Sequence, residues 1–221
     1  MNRIPEPEEL MDESEQAFAY ASADFSKSHQ FIVDTFKIKF KNDICGDVID
    51  LGCGPGDVSI RFAKAYPNCN VLGVDGAKEM LKLAQRDLEK NKELEIRIKF
   101  FESFIPSPQI PRKNYQAIIS NSLLHHLHDP SVLWNTIKEL ANHDTFIFIA
   151  DLFRPENPEQ AKQIVEELSP NDPEILKRDF YNSLCAAFTT KEIENQLKLA
   201  GLENMRVETI DEIHLIIWGK L

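Results

Sequence analysis

The chain lacks several features that would give it an immediate identity. Its four cysteines, Cys45, Cys53, Cys69 and Cys185, form no C-x-x-C pair. Neither a structural zinc site nor a disulfide framework is therefore expected, and the thiols read as reduced, as in a cytoplasmic protein. No apolar run approaches the ~18 residues of a membrane span, and the acidic stretch from Met1 to Glu15 has neither the basic flank nor the apolar core of a secretory signal. Basic residues are in the minority, 25 Lys and Arg against 36 Asp and Glu, and the net charge of -11 disfavours broad attraction to nucleic acid or anionic lipid. No aromatic–basic interleaving, internal repeat or low-complexity tract is present.

What remains is ordinary globular material: 221 residues, 43% hydrophobic and 28% charged, enough for a single domain over 1–221 with a sizeable core. Residues 1–43 read as an appendage opened by Pro5 and Pro7, with an amphipathic stretch around Met11, Ala17, Phe18 and Phe25. A second helical pattern, Phe31, Ile32, Thr35 and Phe36, runs to the break at Lys41-Asn42-Asp43. Such spacing serves packing on a core as well as a helical lid over a site. In a lid, Tyr20, Phe25 and His29 are the side chains expected to meet a substrate.

From Ile44 the rhythm changes to short apolar runs alternating with helical patterns, the signature of a parallel sheet covered on both faces. Strands are predicted near 47–51, 70–74, 96–101, 115–120, 145–150, 204–210 and 213–219. Ile96, Ile98 and Phe100 alternate with Arg97 and Lys99 as on an edge strand, whereas Phe146 to Ala150 is apolar throughout, as in a buried central one. Asp57, Asp129-Pro130, Asn157-Pro158 and Asp172-Pro173 read as helix starts, the last two within a helical insertion at 152–189. Thr189 with Glu192 reads as a capping box and Gly201 as a helix stop, and residues 190–221 supply a final helix and two strands. Those strands are separated by Asp211-Glu212, too short a connection for a crossover, so they must pair antiparallel as a hairpin.

The stretch from Val48 to Asp57 carries the strongest functional signal. A buried strand runs into Gly52, Gly54 and Gly56 and then into a helix, which brings bare backbone and a helix N-terminus to one point. The next strand ends in Asp75, where a carboxylate can accept hydrogen bonds from a ribose diol.

Together these residues resemble motifs one and two of the class I, Rossmann-like S-adenosylmethionine-dependent methyltransferases, strongly over 44–151 and by topology over 190–221. The resemblance implies an α/β fold, a doubly wound seven-stranded mixed sheet with an antiparallel last strand, and S-adenosyl-L-methionine as cofactor. Residue by residue, it puts Gly52, Gly54 and Gly56 against the methionine end of the cofactor, Asp75 on the ribose hydroxyls, and Gly76 and Ala77 beside the adenine. Glu102 or Ser103 matches the position that meets the adenine amine, although Phe100-Phe101-Glu102-Ser103 departs from the commoner acidic–small pair. Asn121 matches a contact to the methionine portion, and Asp50 the acidic position that orders the loop or meets the amino group.

On the acceptor side, Leu123 to Pro130 places His125, His126 and His128 at the C-terminal edge of the sheet, where open α/β folds bind ligands. Three uses compete: a metal site with Asp129, hydrogen bonding at a helix start, or His125 or His126 facing the acceptor as a catalytic group. Adjacent imidazoles on an irregular turn are expected to diverge, so no metal is assigned. Arg154 either clamps an anionic acceptor or pairs with a neighbouring carboxylate, and Tyr181 on the insertion is a further candidate for acceptor contact. The overall expectation is in-line methyl transfer to a small molecule by a monomer or homodimer, with release of S-adenosylhomocysteine. The alternative from another class is a cofactor-binding sensor or partner subunit. A nicotinamide dehydrogenase is disfavoured by the glycine spacing, the terminal hairpin and the absence of a Tyr-x-x-x-Lys pair.

Overall fold

The computed structural model describes residues 1–41 and 43–221, so Asn42 of the predicted break lies outside the described residues. Among those residues, seven strands form one sheet: β1 (Gly46–Leu51), β2 (Cys69–Asp75), β3 (Ile98–Glu102), β4 (Tyr115–Asn121), β5 (Phe146–Leu152), β6 (Arg206–Thr209) and β7 (His214–Lys220). Their order is β3-β2-β1-β4-β5-β7-β6, with β7 antiparallel to both β5 and β6 and the remaining pairs parallel. β3 is an edge strand, as its alternation indicated. It starts two residues later than predicted, because Ile96 stands in a turn, 85% exposed, and Ile98 is the first of the alternating residues to be buried.

Both faces of the sheet are covered, which explains the unbroken apolar wording of its central strands. Ile49, Leu51, Ile118, Ile147, Ile149, Leu215 and Ile217 point to one face, against α5 (Ser131–Leu140) and α8 (Thr190–Ala200). Val48, Ala117, Ile119, Phe148 and Ile216 point to the other, against α2 (Ser26–Phe40) and α3 (Asp57–Ala65). Phe36 of α2 anchors that second layer, its ring 5.0 Å from Phe62, 5.7 Å from Tyr66 and 5.5 Å from Phe148. Burying each such side chain contributes about 1.5–3 kcal/mol.

Several local signals act as read and others do not. Asn157 caps α6 (Pro158–Leu168) by accepting from the Gln160 N–H, Thr189 and Glu192 close a reciprocal capping box, and Gly201 ends α8 at φ 72°. Asp172 makes no cap on α7 (Glu174–Ala186), which starts from Pro173. Asp129 accepts from the Ser131 N–H at 2.9 Å, and α5 begins after Pro130 rather than on it. Asp57 is the first residue of α3 and not its cap, because Gly56 takes the capping position at φ 80°. Phe18, expected on the apolar face of α1 (Ser14–Ser22), is 64% exposed, and Ala17 is the residue buried there.

The insertion does form two helices, α6 and α7. They carry a small core of Ala161, Val165, Leu184 and Cys185 joined to Leu152 and Ile213. No helix among the described residues is long and apolar enough to cross a membrane.

Candidate functional site

The three glycines leave β1 in left-handed conformations, φ 71° at Gly52, 51° at Gly54 and 80° at Gly56, which side chains other than glycine adopt only with strain. Steric space differs among them. A Cβ on Gly52 would fall 2.8 Å from Leu123 and one on Gly56 2.6 Å from Phe100, whereas one on Gly54 would meet nothing within 4 Å. The open side of the turn is therefore at Gly54.

Asp75 ends β2 directly beside it. Its Oδ2 accepts from the Gly54 N–H at 2.7 Å and its Oδ1 from the Ala77 N–H at 2.8 Å, so one carboxylate clamps the glycine turn to the start of α4 (Lys78–Glu89). Each oxygen keeps a second lone pair for a ligand hydroxyl. Burial raises the Asp75 pKa, against the opposing pull of the two N–H groups and the His126 imidazole.

Asp50 is buried within β1 and accepts from the Ser59 hydroxyl at 2.6 Å. Burial pushes its pKa up to about 7, with the Ser59 bond opposing and the Asp75 charge adding to the rise. Gly76 packs under Leu10 and Phe104, and Ala77 is buried with Ala17 and Met80 beneath α1. Glu102, exposed, pairs in register with Asp75, and the buried Ser103 donates its N–H to the Asp75 carbonyl at 2.9 Å. Asn121 is half-buried at the end of β4.

The turn after β4 opens with Ser122 at φ 55°, a left-handed conformation uncommon outside glycine. Sequence offered no signal for it. The turn delivers His125 onto Asp151 at the end of β5: His125 Nδ1 lies 2.5 Å from Asp151 Oδ1, and both are buried. Asp151 is itself fixed, accepting from the backbone N–H groups of Leu124, His125 and Leu152 at 2.7, 3.3 and 2.7 Å. Burial alone would lower the His125 pKa, but the Asp151 and Glu6 carboxylates outweigh it and raise the value.

Glu6 is the participant that sequence reasoning missed. It is buried, 9% exposed, with Oε1 3.6 Å from His125 Nε2 and Oε2 3.3 Å from His126 Nδ1, and it accepts from the Ser183 hydroxyl at 2.8 Å. Burial opposes its charge, but the two imidazoles and Ser183 together hold its carboxyl below the ordinary range. The only local sign was an acid between Pro5 and Pro7, residues that favour an extended backbone.

The whole stretch is laid across the sheet's C-terminal edge. Arg3 donates to the carbonyls of Ala186, His125 and Leu127 at 2.6, 2.9 and 2.8 Å, and the Ile4 N–H donates to Cys185 O at 3.0 Å. Asp12 accepts from the Glu79 N–H at 3.0 Å at the start of α4. His128 leaves the cluster: its Nε2 meets the Glu6 carbonyl at 2.7 Å and its N–H donates to Glu9 at 2.5 Å.

The aromatic residues singled out near the N-terminus form a row. Tyr20 packs on Phe25 with centroids 4.9 Å apart, Phe25 on His29 at 5.4 Å, and His29 Nδ1 reaches Asp57 Oδ2 at 2.8 Å beside Arg61. Burial pushes the Tyr20 phenol up to about 12, reinforced by Asp57, Asp75 and Asp151, and its ring packs against the cluster of Ala17, Ala77 and Met80. His29 is a tie to α3, not a free contact. Two further candidates lie apart. Arg154 is buried, giving Nη2 to Glu192 at 2.7 Å and Nη1 to the Ala187 carbonyl at 3.0 Å, the neighbouring-carboxylate alternative of its two readings. Tyr181 packs in the insertion's own core with Cys185.

Residues 48–143 match the model of a methyltransferase domain family. The seven-stranded sheet with its reversed last strand agrees with solved structures over nearly its whole length. One is a putative S-adenosyl-L-methionine-dependent methyltransferase of Methanococcus maripaludis, with a TM-score of 0.74 and 20% identity, covering 98% of this chain and 97% of that one. The chain has the class I S-adenosylmethionine-dependent methyltransferase fold. The plantazolicin methyltransferase BpumL, solved in complex with SAH, shares this methyltransferase fold at a TM-score of 0.63 and 17% identity, over 92% of this chain and 84% of its own. In sequence, an uncharacterized methyltransferase of Schizosaccharomyces pombe is 30% identical over 87 residues, 38% of this chain. The match spans only 31% of that relative's length.

Proposed function

We propose that the protein transfers the methyl group of S-adenosylmethionine to a small-molecule acceptor and releases S-adenosylhomocysteine. The observation that carries this reading is that Asp75 joins the glycine turn to the start of α4 through hydrogen bonds of 2.7 and 2.8 Å, at the same C-terminal edge of the sheet as the His125–Asp151 pair. The donor half and the histidine half thus lie along one edge of the sheet. Gly52, Gly54 and Gly56 take the methionine end of the donor, Asp75 the ribose hydroxyls, and Gly76, Ala77 and Ser103 flank the base. Asp50 and Asn121 stand behind the methionine portion. The methyl carbon leaves the sulfonium sulfur as it bonds to the acceptor heteroatom, and the acceptor's proton passes to an imidazole when that heteroatom carries one. Held by Asp151 through Nδ1, His125 keeps Nε2 next to Glu6.

The test combines calorimetry with SAH and incubation of the purified chain with isotopically labelled cofactor and a metabolite extract, read by mass spectrometry. We expect micromolar SAH binding and one labelled small molecule. In His125→Ala we expect turnover to fall by roughly 10²–10⁴-fold with SAH affinity nearly unchanged. Absence of SAH binding, or label found only in protein or nucleic acid, refutes the reading.

A further inference from the structure

We infer that Glu6, His125 and His126 form a binding site for one divalent cation of the zinc, cobalt(II) or iron(II) class. Their ligand atoms all lie within 4.8 Å of one another. Two of the separations can be stated, 3.6 Å from His125 Nε2 to Glu6 Oε1 and 3.3 Å from His126 Nδ1 to Glu6 Oε2, one to each carboxylate oxygen, and both have the length of a donor–donor edge around a small cation. Ligand bonds of about 2.0–2.2 Å in a tetrahedron place neighbouring donors roughly 3.3–3.6 Å apart.

Hydrogen bonding does not account for the same contacts. The first is too long, and in the second His126 Nδ1 lacks the required alignment and is buried without any hydrogen-bond partner. Buried polar atoms are nearly always satisfied, so the unpartnered His126 Nδ1, set beside a carboxylate and a second imidazole, asks for something between them.

The surroundings support a metal as that partner. His125 gives its Nδ1 side to Asp151 at 2.5 Å, which leaves Nε2 on the Glu6 side, the carboxylate–histidine arrangement that orients imidazole ligands in metal sites. Glu6 is steadied by Ser183, and the His125 carbonyl by Arg3. The rings of His125 and His126 lie 4.2 Å apart and tilted by only 34°, so these adjacent imidazoles converge where an irregular turn was expected to spread them. The remaining members of the sequence-level candidate set do not join: His128 is turned to the Glu6 carbonyl and Asp129 to the Ser131 N–H.

Two imidazoles and one carboxylate select borderline divalent cations over Mg²⁺ and Ca²⁺, which prefer oxygen donors throughout. Three protein donors leave at least one position of a four-coordinate cation for water or for an acceptor heteroatom. In the metal-free protein the same imidazole nitrogens are the proton acceptors of the proposed reaction; with the cation bound they are its ligands. Binding of the cation does not depend on that reaction.

The test uses the untagged full chain after chelator treatment and dialysis, titrated with Co²⁺ and followed by visible ligand-field absorption, with Zn²⁺ as competitor. We expect saturation at one equivalent of Co²⁺, a tetrahedral-type spectrum and displacement by Zn²⁺. Glu6→Gln and His126→Ala, each checked for folding by circular dichroism, are expected to weaken binding by at least roughly tenfold. His128→Ala is expected to bind as the parent does. A featureless titration in excess Co²⁺ overturns the inference, as does parental affinity in both Glu6→Gln and His126→Ala. SAH calorimetry on the same samples reports the donor half separately, so a featureless Co²⁺ titration of the parent chain with intact SAH binding rejects this inference alone.

Discussion

Gly54→Ala separates the stability of the glycine turn from its use as a ligand floor. In the free protein the new Cβ meets nothing within 4 Å, so the cost is that of holding alanine at φ 51°, about 1–2 kcal/mol. For a chain of this size that lowers Tm by about 2–8 °C. Gly56→Ala carries the same backbone cost at φ 80° and adds overlap with Phe100 at 2.6 Å and Ala84 at 3.0 Å, worth a further ~1–3 kcal/mol. Binding should rank the other way. The space above Gly54 is where the donor's methionine end is proposed to lie, and a methyl group pressed into it costs about 1–3 kcal/mol, or roughly 5- to 150-fold in Kd. Thermal unfolding without ligand gives the first quantity and calorimetry with SAH the second. Parental SAH affinity in Gly54→Ala, or a Tm drop as large as that of Gly56→Ala, refutes the reasoning.

Asp75→Ala should cost both affinity and fold. It removes the proposed ribose acceptor and leaves the Gly54 and Ala77 N–H groups unpaired, each worth about 1–3 kcal/mol, and unchanged SAH binding by calorimetry tells against the ribose role. Asp50 gives a pH dependence of definite sign. Its folded-state pKa of about 7 stands above the ordinary 3.8, so its contribution to stability is complete below about pH 4 and is lost as pH rises through 7. Neutral Asp50→Asn should flatten that slope, with about 4 kcal/mol as the upper bound of the difference. Urea unfolding at pH 5 and pH 8 measures it, and equal slopes in parent and variant count against it. Arg154→Ala should lower Tm by freeing Glu192 and the Ala187 carbonyl, a loss of about 1–3 kcal/mol, with unchanged KM for the acceptor. A rise in KM with unchanged Tm would restore the anion-clamp role.

The glycine turn and its clamp by Asp75 were legible because their determinants are local. A glycine turn needs particular φ values at successive positions, and Asp75 is carried to that turn by the strand paired with β1, with Val74 opposite Leu51. The reversed end of the sheet was legible for a similar reason, since the hairpin connection leaves no room for a helix. Even here, precision failed where two residues compete for one function. Gly56 supplies the left-handed turn that starts α3, which leaves Asp57 for His29 and Arg61.

The histidine turn was legible only as a cluster of residue types. That three histidines stand at the sheet edge follows from their place after β4. Which of them meet, and what joins them, does not, because the partners come from 119 or more positions away: Glu6 for His125 and His126, and Glu9 for His128. An acid flanked by two prolines in a polar segment has no pattern that distinguishes it from any solvated carboxylate. Only the path of the first residues over the sheet, tied down by Arg3, Ile4 and Asp12, buries it beside the imidazoles.

By itself, then, the sequence determined the sheet, its reversed final strand and the glycine–Asp75 turn, because strand periodicity, turn chemistry and connection length act over a few residues at a time. Tertiary structure decided that His125 is oriented by Asp151, that Glu6 closes the histidine pair, and that Arg154 is paired with Glu192. Those outcomes depend on contacts between distant segments, where burial converts ordinary polar side chains into a site.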